Sequence, residues 1–125
     1  MDTLNARMSE GLYRTSKERR EEPTLEFLYR SAGPVWYRGM VCADEKYDPL
    51  TPEQTDALLR RYDADRLLVG HTIFPDISTF HDGRVIAVNV QNERNRRKNR
   101  GRAVLIEGSR ISVVGNRGVK RVLEE

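Results

Sequence analysis

Histidine, cysteine, lysine and long apolar runs are all scarce in this sequence, and each scarcity excludes something. Cys42 is the single cysteine, so an internal disulfide and a cysteine-built zinc cluster are both excluded. The only histidines are His71 and His81, so a metal site would draw most of its ligands from other residue types. No apolar run approaches the ~20 residues that a membrane-spanning helix needs. The first residues, Met1-Asp2-Thr3-Leu4-Asn5, offer neither a basic n-region nor an apolar h-region, so no secretory signal is expected and the cytoplasm is the default compartment. Only Lys17, Lys46, Lys98 and Lys120 are lysines; the other cations are arginines.

What is present is charge. Of the 125 residues 33% are charged and only 38% hydrophobic, with a net charge of +3. A chain of this length can bury a useful core. This one has little to bury, which points to a single partial domain (1–125) completed by more chain or by a partner. Its expected parts are a helical part (1–62), a strand meander (63–114) and a tail (115–125).

The helical part opens with a narrow stripe, Leu4, Met8 and Leu12, predicting an amphipathic helix over 3–20, although Gly11 interrupts it. A second short helix is predicted from Pro23, ending at Gly33-Pro34. Thr51-Pro52-Glu53-Gln54 is the clearest start signal in the chain, with a threonine cap, a first-turn proline and glutamine at the third position. Arg66–Val69 then reads as a short strand apolar on both faces, as a covered strand would be. Ile77–Phe80 and Arg84–Val90 flank His81-Asp82-Gly83, and Ala103–Glu107 and Arg110–Val114 flank Gly108-Ser109, predicting two hairpins. Gln91–Arg102 reads as a polar loop, and the tail from Gly115 shows no period. The fold class expected is α/β (α+β), N-terminal helices followed by a mostly antiparallel sheet.

Two segments carry the chemistry. In Leu67-Leu68-Val69-Gly70-His71-Thr72 an apolar run ends in Gly-His. The carboxyl ends of strands in open α/β layers face ligands, and neutral imidazole is a common metal ligand. Two readings of His71 stand, a metal ligand or a buried histidine satisfied by hydrogen bonds. The other segment, Val35-Trp36-Tyr37-Arg38-Gly39, sets two aromatics beside an arginine between turn signals. Arg38 reads either as an anion-binding fork or as a cation stacked on Trp36 or Tyr37. His81 reads as an exposed turn residue. Asp44, Glu45 and Asp48 share a loop but lack calcium-loop spacing.

Three ordered segments, Gly33–Gly39, Leu68–Thr72 and Gly83–Val90 with the hairpin 103–114 beyond, resemble the C-terminal portion of a bacterial calcineurin-like metallophosphoesterase, in the branch related to serine/threonine phosphoprotein phosphatases. That resemblance implies part of a four-layer β-sandwich and a divalent metal cofactor (Mn, Fe or Zn). It also implies His71 as a metal ligand, Arg38 as the group that binds a phosphate-ester substrate, and Trp36, Tyr37 and Gly70 as the site wall. No catalytic role falls on Asn89. The family's early motifs, Asp-x-His, Gly-Asp-x-x-Asp and Gly-Asn-His, are missing; the one Gly-Asn pair, Gly115-Asn116, is followed by Arg117. A metal-binding histidine upstream of the Trp-Tyr-Arg-Gly stretch is missing too. The resemblance therefore implies a fragment of a phosphatase whose partner is the N-terminal section of the fold, not competent alone.

A second reading is a small, basic, non-catalytic module that binds an anionic partner such as RNA. Arg94, Arg96, Arg97, Lys98, Arg100 and Arg102 fall within nine positions. They could neutralise phosphates. The stretch holds no aromatic on which a base could stack, and a solvated loop is the simplest account of it.

Overall fold

The computed structural model describes residues 2–124 and divides between Leu50 and Thr51 into two compact units. The first is helical. α1 (Asp2–Leu12), α2 (Ser16–Glu21) and α3 (Pro23–Tyr29) follow one another, and a single 3-10 turn spans Glu45–Tyr47. The expected helix over 3–20 is broken, and the break has a cause. The Thr15 side chain accepts from the Glu18 backbone N–H while the Glu18 carboxylate accepts from the Thr15 N–H, a complete capping box that starts α2 afresh. Glu22 likewise caps α3, its carboxylate accepting from Leu25 N at 2.6 Å. Leu25 and Leu28 are the buried side chains of α3, whereas Leu12, at the end of the α1 stripe, is 69% exposed.

In the second unit α4 (Pro52–Arg61) begins as its sequence predicts. Thr51 and Gln54 exchange side-chain and backbone hydrogen bonds at 2.8 and 3.2 Å, with Pro52 in the first turn. Thr55, fully buried, donates its hydroxyl to Thr51 O at 3.0 Å. The strands make two three-stranded sheets rather than one meander. In the first, β3 (Val85–Ala87) lies between β1 (Leu67–Val69), parallel to it, and β2 (Ser78–Phe80), antiparallel. The β2–β3 turn holds three consecutive positive φ angles, at His81, Asp82 and Gly83. Asp and Gly tolerate that region best. β1 is an edge strand, and its Leu68 is 42% exposed, so the covered strand expected from its apolar sequence is not what forms.

The second sheet is antiparallel, in the order β4 (Arg102–Glu107), β5 (Arg110–Gly115), β6 (Lys120–Glu124). Ile77, Ile86 and Val90 meet Ile111 and Val113 in one core, with Val88, Val104 and Leu123 packed at its margin. Two expectations are corrected here. The tail after Gly115 turns through Arg117 and Gly118, both at positive φ, and returns as β6. The polar stretch 91–102 contains a helix, α5 (Asn92–Arg97). None of its residues is buried, which is why no apolar period betrayed it. The class remains mixed α and β, with helices first and mostly antiparallel pairing after. Among the described residues no helix is long and apolar enough to cross a membrane.

Candidate functional site

In the helical unit the turn-rich stretch after α3 gathers Trp36, Tyr37 and Arg38 with two residues the sequence reading did not single out, Lys46 and Tyr47. Arg38 Nη1 donates to the carbonyl of Trp36 at 3.1 Å. Its guanidinium carbon lies 5.8 Å from the centroid of the Trp36 ring and 5.5 Å from that of Tyr47. Lys46 Nζ sits 5.0 Å from the same Tyr47 ring. Two cations thus lie beside one aromatic ring, within the range where its quadrupole attracts them. Lys46 also pairs with Asp44 at 2.7 Å. The hydrogen bond from Lys46 holds the Asp44 carboxyl below its usual range, and the same contact raises the lysine. Arg38 is therefore both stacked and hydrogen-bonded, and Trp36 stands 49% exposed beside it.

Tyr37 closes the loop from the other side. Its hydroxyl donates to Asp48 O at 3.0 Å. Burial pushes the phenol's pKa up, and the Asp48 carboxylate adds to the rise. A Cβ at Gly39 would stand 2.4 Å from the Tyr37 hydroxyl and 2.7 Å from Asp48 O, so this close approach requires glycine. The Tyr-Arg-Gly order thus has a local reason. The arginine faces rings, and the glycine lets the tyrosine reach across to Asp48.

Gly70 and His71 follow β1 in the other unit. Thr72 N donates to Gly70 O at 2.9 Å, and His71 takes φ 68. Few non-glycine residues adopt that region, histidine more readily than most. Asn89, to which the sequence assigned no role, donates its Nδ2 to His71 O at 3.1 Å and ties this turn to the segment after β3. His71 is exposed rather than buried, and a Cβ at Gly70 would meet nothing within 4 Å. His81 is half-buried at the β2–β3 turn. Trp36, Tyr37 and Arg38 thus come together in the first unit, while Gly70 and His71 belong to the second.

No protein-family model matches the chain, and no curated protein matches it significantly. Solved structures do match. A cold-active protein tyrosine phosphatase aligns with 99% of this chain at a TM-score of 0.66 and 25% identity, over 34% of its own length. The cold-active protein-tyrosine phosphatase of a psychrophilic Shewanella species aligns with 98% of this chain at 0.65 and 24%, over 35% of its length. The chain shares the fold of part of a phosphatase. It spans about a third of the length of the structures it matches.

These findings correct the sequence-based assignment. The matching structures are named tyrosine phosphatases, so the assignment to a calcineurin-like metallophosphoesterase is withdrawn. The divalent metal cofactor (Mn, Fe or Zn) rested on that resemblance and goes with it. The metal-ligand role implied for His71 loses its ground for the same reason. Among the described residues, no three His, Cys, Asp or Glu side chains are grouped as metal ligands would be.

Proposed function

We propose that this chain forms part of a phosphatase that hydrolyses phosphate esters, with tyrosine phosphate as the model substrate. The alignment of nearly the whole chain with a protein tyrosine phosphatase carries this reading. Within it, Arg38 binds the substrate phosphate and Trp36 and Tyr37 form the wall beside it. A planar guanidinium suits the task, because two parallel N–H groups can meet two phosphate oxygens. The contacts with the Trp36 and Tyr47 rings hold that guanidinium, and Lys46 adds a second positive charge close by. The 125 residues by themselves are not competent for turnover, since they correspond to about a third of the matched phosphatase.

The test is binding rather than rate. The full chain is titrated with phosphotyrosine while the Trp36 indole is followed by NMR and fluorescence; Trp36 is the only tryptophan, so the signal is unambiguous. Saturable change at the indole is expected, weakened roughly tenfold or more in Arg38→Ala. An indole that does not respond, or an Arg38→Ala variant that binds as the parent does, defeats the assignment of this site.

A further inference from the structure

Arg94 of α5, with Lys98 and Arg100 just beyond the helix, lines a concave site of its own. Phe74 forms an isolated parallel bridge with Val90, and Phe74 N donates to Asn89 O at 2.9 Å. This pins the Ile73-Phe74-Pro75 segment alongside the chain that enters α5. Between them lies a cavity of about 320 Å³, lined by Ile73, Phe74 and Pro75 and by Arg94, Lys98 and Arg100.

Three observations mark it as a binding site. First, the cations facing it are uncompensated. Arg97 pairs with Glu93 at 3.6 Å and Arg102 with Asp76 at 3.1 Å, but among the described residues no carboxylate pairs with Arg94, Lys98 or Arg100. Second, Asn95 lines the same cavity, and its Nδ2 is buried without an acceptor. Buried donors are rarely left so, and an oxygen-rich ligand would complete this one. Third, the Ile73-Phe74-Pro75 part of the lining is apolar. Ile73 is 54% exposed, and the Phe74 ring is braced by Phe80, their centroids 5.3 Å apart at 55°. Apolar walls with a few convergent polar groups are the usual make-up of small-ligand sites, and the volume is in the usual range.

We propose that this cleft binds a phosphate monoester with an apolar, ring-bearing body. The phosphate lies against Arg94, Lys98 and Arg100, with the Asn95 amide as a neutral donor, and the body covers Ile73-Phe74-Pro75. Several cations around one point match a group with several charged oxygens, and arginine forks match phosphate geometry. A bare anion would leave the apolar side wet. An extended polyanion would leave Ile73, Phe74 and Pro75 unused. The proposal stands independently of the role given to Arg38.

The experiment is an NMR titration of the full chain with phenyl phosphate, inorganic phosphate and oligouridylate in parallel. Phenyl phosphate is expected to shift the Asn95 side-chain amide and residues 73–75, and to bind roughly tenfold more tightly than inorganic phosphate. Arg94→Ala with Lys98→Ala, exposed positions in α5 and at its C-cap, lowers that affinity roughly tenfold or more with the circular dichroism spectrum unchanged. Ile73→Ser removes the preference for phenyl phosphate while leaving inorganic phosphate as before. Equal binding of the two phosphates overturns the proposal, and so does a cleft that answers only to oligouridylate with steep salt dependence. Shifts confined to the Trp36–Tyr47 stretch overturn it too, while leaving the reading of Arg38 intact.

Discussion

The hydroxyl of Tyr29 donates to the carbonyl of Met8 at 2.6 Å, joining the third helix to the first. The Arg19 guanidinium covers the same ring, 4.5 Å from its centroid. Gly11 sits against that ring. A Cβ there would lie 2.4 Å from Tyr29 Cε2 and 2.9 Å from Cζ. Alanine in place of a helical glycine ordinarily stabilises by about 0.5–1 kcal/mol. Here the ring is held at its hydroxyl and by the Arg19 guanidinium, so it has little room to retreat. Gly11→Ala is therefore expected to destabilise the protein by about 1–3 kcal/mol, the usual cost of overpacking. Urea unfolding followed by helical circular dichroism measures it, and a variant more stable than the parent would show that the ring yields.

Tyr37 makes stability depend on alkaline pH. Free tyrosine ionises near pH ~10. In the folded protein burial, chiefly, and the Asp48 carboxylate raise that value. The folded state then holds the proton more firmly than the unfolded chain does. The stabilisation is complete below the unfolded value and is lost as pH climbs through the raised one. Lys46, also raised, titrates in the same direction through its pairing with Asp44. Only the difference between the parent and Tyr37→Phe isolates the phenol. Urea unfolding read by Trp36 fluorescence from pH 8 to 11 should show a shallower alkaline loss in Tyr37→Phe. Parallel curves would mean that the hydroxyl adds nothing.

Local signals in this sequence were legible where one residue type forces one geometry. Thr51-Pro52-Glu53-Gln54 starts α4, and His81-Asp82-Gly83 turns β2 into β3, because capping and positive φ are decided within a few residues. Thr15-x-x-Glu18 carried a signal of the same kind, but the longer Leu4-Met8-Leu12 stripe masked it. α5 had no apolar face to read. The parallel pairing of β1 with β3 joins Leu67 to Val85 across the whole intervening β2 hairpin arm, a long-range choice that no local pattern announces. At the site, Trp-Tyr-Arg-Gly identified its own cluster. Lys46 and Tyr47 join it only because the chain doubles back to bring Asp48 under Tyr37. The family assignment failed for a different reason. Short shared strings such as Gly-His recur between families, and the fold comparison weighed the whole chain instead.

The last strand gives a third expectation. Val113 pairs with Arg121 and Val114 with Lys120, and the half-buried Leu123 packs on the core that Ile111 and Val113 share with the other sheet. A fraying tail would contribute nothing, whereas a paired strand protects β5 from becoming an open edge. Leu123→Ala is expected to lower stability by about 1–2 kcal/mol, less than a fully buried leucine would cost. Hydrogen exchange should show the Val113 and Arg121 amides losing protection together. Unchanged protection in the variant would mean that β6 is held by its backbone pairing alone.

Arg38 separates packing from recognition. Its guanidinium contacts the rings of both Trp36 and Tyr47 and also donates to Trp36 O, so removing it weakens the loop whatever the function. Exposed cation–aromatic contacts are worth about 0.5–1 kcal/mol, and Arg38→Ala should cost stability on that scale. Lysine keeps the charge and part of the stacking but has no fork. If the arginine grips phosphate through paired N–H groups, Arg38→Lys will bind phosphotyrosine several-fold more weakly than the parent while recovering most of the stability lost in Arg38→Ala. Stability and affinity then move apart along the series Arg, Lys, Ala, with unfolding midpoints and titrations measured on the same samples. Should affinity track stability at every step, the arginine acts by shaping the loop. Should Lys bind as tightly as Arg, the phosphate is held by charge alone and the planar fork has no part in it.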